Sequence, residues 1–213
     1  MEAQLKQIEN RLFQNYLNSQ ISTESFLRQI VLNTQSQKDL ERKTRVEQRK
    51  EERALKELSY QIKNKCSGPS LGRGNPYSEV VFVLKHITQK RVMCLRDMLA
   101  KIGQKKQNFY ITGLFKDKPP QKEENVKKEL KKSGFYLYKE IDIIRPRIIV
   151  TLGKDPTQFI LKKDYEKIHG ELHNIIINNN PVIVFPTFDP QDVVTKTGAE
   201  LILEDFEYLN KLI

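Results

Sequence analysis

One short segment constrains the fold of this chain more than any other: the apolar run Ile148–Leu152, which follows Pro146 and stops at Gly153. Its residues are mostly β-branched and leave no polar face, so the pattern predicts a strand covered on both sides in the middle of a sheet. Two similar runs, residues 108–115 and 181–186, flank it along the chain. Segments of helical character alternate with these runs. The alternation predicts an α/β fold with a three-layer, mostly parallel four-stranded sheet and helices on both faces.

The N-terminal part of the chain differs in kind from the rest. Residues 1–64 contain no Gly or Pro and are rich in Gln, Glu, Lys, Arg and Asn, which predicts a helical arm. Leu5, Ile8 and Leu12 recur at helical spacing. This face either binds a protein partner or packs on the chain's own domain. Further along the arm, Leu55, Leu58 and Ile62 are expected to dock its end.

The domain organisation follows from composition. The Gly/Pro-containing residues 65–78 are interpreted as a linker, and residues 79–213 as the α/β domain, which is expected to fold without the arm. Within it we predict a first strand at 79–84, a helix over 123–144 that Gly134 interrupts, and a hairpin-like edge around residues 178–180. A C-terminal helix is expected from about Gly198, with an apolar stripe formed by Leu201, Ile202, Phe206, Leu209 and Leu212.

Charge and cysteine content bound the function. The chain has a net charge of +10, which is typical of proteins that bind nucleic acid or another polyanion, although a solvated lysine-rich surface would give the same figure. No apolar run reaches the ~18–20 residues that span a bilayer, so a cytoplasmic location is expected. Only Cys66 and Cys94 are present, and His169 and His173 lack a third ligand. We therefore predict no metal and no cofactor.

Several segments in order resemble the uracil-DNA glycosylase superfamily, most nearly its iron–sulfur bacterial and archaeal branch. Residues 109–120, FYITGLFKDKPP, are similar to that branch's YITNxVKCRPP, and residues 144–154 to its xRPKVVVxLG. Residues 168–173 are similar to LRGRWH and residues 181–190 to IPVLPTYHP, and the chain ends in a comparable helix. The resemblance covers about residues 74–213 and implies the same α/β fold.

The resemblance also implies a base-excision pocket, and its parts are changed here. The branch has an acidic GEAPG-like loop that helps to position the attacking water, whereas residues 83–90 pass almost directly from strand to helix. Its base-reading Asn corresponds to Gly113, and the His that stabilises negative charge on the leaving base corresponds to Asp189, whose carboxylate would repel that charge. The four cluster cysteines are absent. A rebuilt catalytic pair of His86 and Asp189 is the remaining enzymatic alternative.

These observations predict a catalytically inactive glycosylase-like protein that acts by binding DNA, protein or both in DNA replication or repair. The alternatives are an active DNA glycosylase with a rebuilt pocket, holding His86, Asn108 or Asp189, and a protein-binding scaffold without nucleic acid. If the resemblance extends to orientation, the loops after the strands face DNA. The predicted phosphate contacts are then Lys85, Lys90, Arg91, Lys116, Lys118, Lys122 and Lys154.

Overall fold

The computed structural model describes residues 23–65, 71–104, 109–191 and 196–211. The helices of these residues are α1 Thr23–Lys65, α2 Gln89–Lys101, α3 Glu123–Ile144, α4 Lys154–Leu161, α5 Tyr165–Ile168 and α6 Lys196–Asn210. The strands are β1 Arg73–Gly74, β2 Val80–His86, β3 Tyr110–Phe115, β4 Ile148–Leu152, β5 His173–Ile177 and β6 Asn180–Thr187. None of the described helices is both long enough and apolar enough to cross a membrane.

The sheet confirms the predicted α/β architecture and is wider than predicted. Its six strands have the order β1-β3-β2-β4-β6-β5. The four inner strands β3, β2, β4 and β6 run parallel, and the edge strands β1 and β5 pair antiparallel with their neighbours. Parallel strands require crossover connections, which the helices supply. The two edge strands account for the difference between the predicted four strands and the observed six.

Strand β4 lies between β2 and β6, and all five of its residues are buried. Alternate residues of β2 feed the two faces of the sheet. Val80, Phe82 and Leu84 pack with residues of α2 and α6, whereas Val81 and Val83 pack with residues of α3 and α4. Each such side chain contributes about 1.5–3 kcal/mol by leaving water. The continuous apolar pattern of the inner strands thus produces the three layers.

Two details of the helices differ from the sequence prediction. Gly134 does not interrupt α3, which is continuous. A Cβ at this position would lie 2.2 Å from the Phe159 ring, so the glycine lets α4 pack closely against α3. In α6, Ile202, Phe206 and Leu209 are buried as predicted, but Leu201 is 44% exposed and does not belong to the stripe. Leu212 lies outside the described residues.

The chain divides into two compact units between Lys50 and Glu51. In the first unit, residues 41–50 of α1 are almost all exposed. In the second, Leu55, Leu58 and Ile62 are buried, and the last two form a small cluster with Tyr136. The docking role predicted for these three residues agrees with their burial. The predicted partner face at Leu5, Ile8 and Leu12 lies outside the described residues.

Candidate functional site

The carboxyl ends of β2, β3, β4 and β6 meet at one edge of the sheet, where open α/β proteins place their ligands. At this edge only Ile87 and Thr88 separate β2 from α2. The hydroxyl of Thr88 accepts a hydrogen bond from the Arg91 backbone N–H at 3.2 Å and so caps α2. The chain therefore turns into a helix where a glycosylase of the resembled branch has a loop.

Arg91 connects the two candidate catalytic residues. Its Nε donates to Asp189 Oδ2 at 2.9 Å, and its guanidinium lies 3.4 Å from His86 Nδ1. Asp189 Oδ1 also accepts from the Gln191 backbone N–H at 3.0 Å. The side chains of Arg91 and Asp189 are only 13% and 3% exposed. The structure thus brings His86 and Asp189 together through Arg91, which is one of the predicted phosphate contacts.

The environment of His86 keeps its imidazole neutral. Burial lowers the pKa of His86 below its ordinary value, the charges of Arg91 and Lys85 lower it further, and Asp189 opposes them. At neutral pH the ring is therefore uncharged. A ring whose Nδ1 accepts from Arg91 carries its proton on Nε2. His86 is accordingly a neutral hydrogen-bonding group at neutral pH.

Gly113 lies on β3, where a side chain would meet closely packed main chain. A Cβ at this position would lie 3.0 Å from Phe115 O, 3.2 Å from His86 Cα and 3.2 Å from Ile87 N. All three are main-chain atoms, which cannot swing aside as a side chain does. A side chain at this position, such as the asparagine of the resembled branch, would therefore require the main chain around Phe115, His86 and Ile87 to shift slightly.

Lys116 is a correction to the predicted DNA-binding set. Its side chain is fully buried and pairs with Glu140, and its Nζ also donates to Thr112 Oγ1 at 2.9 Å and Gly113 O at 3.0 Å. Glu140 in turn accepts from Tyr110 at 3.1 Å. Burial and the Glu140 charge raise the pKa of Tyr110, which stays protonated and donates. Lys116 is thus a structural cation, since a phosphate cannot reach it.

The other predicted phosphate contacts have different surroundings. Lys90, Lys118, Lys122 and Lys154 are exposed. Lys85 is partly exposed and forms an ion pair with Asp155 at 2.7 Å. The exposed lysines lie in or next to the segments that leave the carboxyl ends of β2, β3 and β4. Asn108, considered for a rebuilt pocket, lies outside the described residues.

The residues present do not fit an iron–sulfur cluster. A cluster held by cysteine thiolates needs four of them, and the whole sequence has two cysteines. Cys94 lies on α2 with its Sγ 3.5 Å from the carbonyl oxygen of Pro190, and burial raises the pKa of its thiol. Among the described residues, no three His, Cys, Asp or Glu side chains are grouped in a way that could hold a metal ion.

Comparisons with known proteins agree with the resemblance. The family described as uracil DNA glycosylase superfamily matches residues 71–212. A type-4 uracil-DNA glycosylase of Archaeoglobus fulgidus is 34% identical over 159 residues, which are 66% of this chain and 80% of that protein. A second, from Sulfurisphaera tokodaii, is 32% identical over 126 residues, or 55% of this chain.

Coverage of the relatives varies. The chain spans 57% of the length of the Sulfurisphaera tokodaii protein and 51% of a type-4 uracil-DNA glycosylase from Saccharolobus solfataricus. The chain is also similar to a DNA polymerase of Bacillus phage SP01. The two are 27% identical over 142 residues, which are 65% of this chain but 15% of the polymerase.

Proposed function

The chain belongs to the uracil-DNA glycosylase superfamily, and we propose that within it the protein binds DNA in repair or replication without excising bases. Excision requires a pocket for a flipped base, a positioned water and a group that stabilises the departing base. The residues at the corresponding positions supply none of these three functions.

The observation that carries the proposal is the main chain beside Gly113. An excised base would have to be read from this position, yet His86 Cα and Ile87 N lie within 3.2 Å of where a Cβ would be. An asparagine at this position would require the connection between β2 and α2 to shift by a few tenths of an ångström. The short connection and the glycine are therefore mutually adapted.

Asp189 supports the same conclusion on electrostatic grounds. Negative charge develops on the base as its glycosidic bond breaks, so a useful group at this position donates a hydrogen bond. Asp189 is instead a buried carboxylate, already paired with Arg91 at 2.9 Å. Its two oxygens accept from Arg91 and from the Gln191 backbone. This arrangement neutralises Asp189 but offers nothing to a leaving base.

DNA binding is supported by charge and by the relatives. Lys90, Lys118, Lys122 and Lys154 remain exposed after Lys116 is removed from the set. Three of the relatives described above are named type-4 uracil-DNA glycosylases and one is named a DNA polymerase. A similar DNA-binding domain would serve both in replication and in repair. The contacts would be with phosphates and therefore depend little on base sequence.

The test combines an activity assay with a binding titration. The full chain is incubated with oligonucleotides containing uracil or hypoxanthine, beside the Archaeoglobus fulgidus enzyme as a positive control. We expect no excision above background. Duplex binding followed by fluorescence anisotropy should weaken with salt, with a slope of log K against log salt of roughly −4 if four lysines contact phosphate. Uracil excision that disappears in Asp189→Ala would contradict the proposal.

An active glycosylase with a rebuilt pocket is the second candidate. The names of the relatives favour it, and the structure places His86 and Asp189 on the same arginine. The activity assay decides between the two candidates directly. A protein-binding scaffold takes their place if the full chain shows neither excision nor salt-dependent DNA binding at about 50 mM salt, where phosphate contacts are strong.

A further inference from the structure

A cavity of about 290 Å³ lies at the carboxyl edge of the sheet, on the face that is covered by α3 and α4. Its lining includes Lys85 and Phe115 from the ends of β2 and β3 and Gln158 and Phe159 from α4. Phe115 packs in the core between the sheet and helices α3 and α4. Gly113, in contrast, has its Cβ direction toward His86 and Ile87, and Ile87 packs in the core on the α2 side. The cavity is thus separate from the glycosylase-like position.

The cavity combines flat apolar walls with cations. Phe159 and Pro120 supply the flat surfaces and Gln158 supplies an amide. Lys162 also lines the cavity, and its Nζ lies 4.3 Å from the centre of the Phe159 ring. The acidic group among the lining residues, Asp155, is already paired with Lys85 at 2.7 Å. The ion pair leaves Lys162 as the charge that is not compensated within the lining.

The surrounding segment adds further positive charge. Pro119 and Pro120 form part of the cavity wall, and the exposed Lys118 and Lys122 flank them in sequence. This arrangement of an aromatic wall and surrounding lysines matches a ligand whose flat group stacks on the ring and which carries an anionic group on either side. The volume is close to the lower limit of about 300–1,000 Å³ for small-molecule pockets, which suits one nucleoside and not a longer ligand.

We propose that this cavity is a subsite for one nucleotide of single-stranded DNA, whose base stacks on Phe159 and whose flanking phosphates contact Lys118, Lys122 and Lys162. The proposal rests on the proposed function of DNA binding and adds a strand form and a location to it. Base stacking on aromatic side chains combined with a basic surface is the usual mode of sequence-tolerant single-strand binding. The exposed Lys162 can leave the ring for a phosphate when a base arrives, and Gln158 can hydrogen-bond the edge of that base.

Photocrosslinking of the full chain tests the location. An oligothymidylate carrying 5-iododeoxyuridine is bound at about 50 mM salt, where phosphate contacts are strong, and is then irradiated and digested with trypsin. We expect the crosslink in the peptide of residues 155–162, which contains Phe159, or in that of residues 107–116, which contains Phe115. Crosslinks confined to other peptides would overturn the subsite while leaving DNA binding intact.

A matched pair of charge reversals tests the contribution of the cavity. Lys162→Glu and Lys167→Glu change the net charge equally, but Lys167 lies on α5 and is not among the lining residues. We expect Lys162→Glu to weaken oligothymidylate binding roughly tenfold and to remove the crosslink, since it loses a phosphate contact and adds repulsion. Lys167→Glu should change affinity less than about twofold, because it removes only long-range attraction.

The remaining outcomes are also decisive. Equal weakening by both reversals would mean that overall charge alone attracts the strand, and the subsite would fall. Gln158→Ala, which keeps every charge, provides a second variant whose crosslink yield should drop. If the native chain binds neither single-stranded nor duplex DNA, the proposed function fails and the subsite fails with it. If it binds duplex alone, only the subsite fails.

Discussion

At the scale of single residues, two of the predicted phosphate contacts at the carboxyl edge of the sheet, Arg91 and Lys116, form ion pairs within the protein. Arg91 pairs with Asp189 and contacts His86, and Lys116 pairs with Glu140. A buried charge must be paired, because an isolated ion in the interior loses its hydration. In each pair, a cation that was predicted to contact phosphate instead neutralises a buried carboxylate.

The pairing of His86 predicts a pH effect. Burial and the charges of Arg91 and Lys85 lower its pKa from the ordinary 6.5. The charge of Asp189 raises this pKa, and that of Lys118 lowers it. The unfolded chain then binds the proton at higher pH than the folded protein does. The contribution of His86 to stability is consequently fully present above about pH 6.5 and is lost as the pH falls toward the lower pKa of the folded protein.

Thermal melting between pH 7.5 and pH 5 measures this effect. We expect the melting temperature of the native protein to fall more over this range than that of His86→Gln, which keeps a hydrogen-bonding group but does not titrate. Other groups titrate in both proteins, so only the difference between the two curves reports on His86. Parallel curves would contradict the depressed pKa.

Lys116 and Lys118 differ by two positions and should respond in opposite ways. Lys116→Met leaves Glu140 buried without its cation, which should lower the free energy of unfolding by about 3–5 kcal/mol. Lys118→Glu changes an exposed side chain, so it should leave melting unchanged and reduce the salt slope of DNA binding by about 0.9. Chemical denaturation and anisotropy titrations measure the two effects. A stable Lys116→Met protein with weakened DNA binding would restore Lys116 to the interface.

The burial of Lys116 shows what local sequence cannot reveal. Its segment, Phe115-Lys-Asp-Lys-Pro-Pro120, has the composition of a basic loop, and its counter-charge Glu140 lies 24 residues away on α3. Arg91 and Asp189 are 98 residues apart. Such pairs are created by tertiary structure. The sequence signal of such a pair is a single acidic residue within an otherwise apolar helix face or beside the end of a strand. It is recognised only by asking which cation neutralises that acid.

At the scale of secondary-structure elements, prediction succeeded where both faces of a strand are buried. Strand β4 matches its predicted bounds because five consecutive buried positions leave a continuous apolar run. Strand β1 was not predicted, since it has two exposed residues, Arg73 and Gly74. It exists because Arg73 pairs with Ile111 and Gly74 with Tyr110 of β3. Edge pairing of this kind depends on a neighbour and leaves no apolar pattern.

The hairpin of β5 and β6 was predicted from its asparagine tip, and its turn makes a further prediction. Asn178 and Asn179 have φ of 48° and 66°, and two positive values at the centre of a two-residue turn are typical of type I′. Glycine suits the second position better than asparagine. We expect Asn179→Gly to raise the free energy of unfolding by up to about 1 kcal/mol and Asn179→Val to lower it by about 1–2 kcal/mol.

The pair of variants at Asn179 is measured by chemical denaturation. The turn is exposed, so neither variant alters the core, and the difference reports on backbone conformation alone. Equal stability of the two would mean that the hairpin is held by the pairing of β5 with β6 and that the turn contributes little. In that case the asparagine run would be incidental to the register.

At the scale of the whole molecule, the division between Lys50 and Glu51 bears on the autonomy of the α/β domain. Composition suggested a boundary near residue 65, because the character of the sequence changes there. Side-chain burial points to an earlier boundary. Leu55, Leu58 and Ile62 are 8%, 3% and 0% exposed, and Leu58 and Ile62 cover Tyr136 of α3. The last turns of α1 thus contribute to the core of the second unit.

Two truncations therefore should behave differently. Deletion of residues 1–50 should leave a domain that melts cooperatively near the native temperature, since residues 41–50 are almost all exposed. Deletion of residues 1–64 removes Leu55, Leu58 and Ile62, each of which contributes about 1.5–3 kcal/mol through burial. Their sum is comparable with the about 5–15 kcal/mol that stabilises a whole domain, so the shorter protein should lose cooperative melting or aggregate.

Circular dichroism melts of both proteins, with DNA binding measured on whichever folds, provide the comparison. Cooperative melting of the 1–64 deletion near the native temperature would show that the α/β domain is complete from residue 65 onward and that the buried residues of α1 merely cover it.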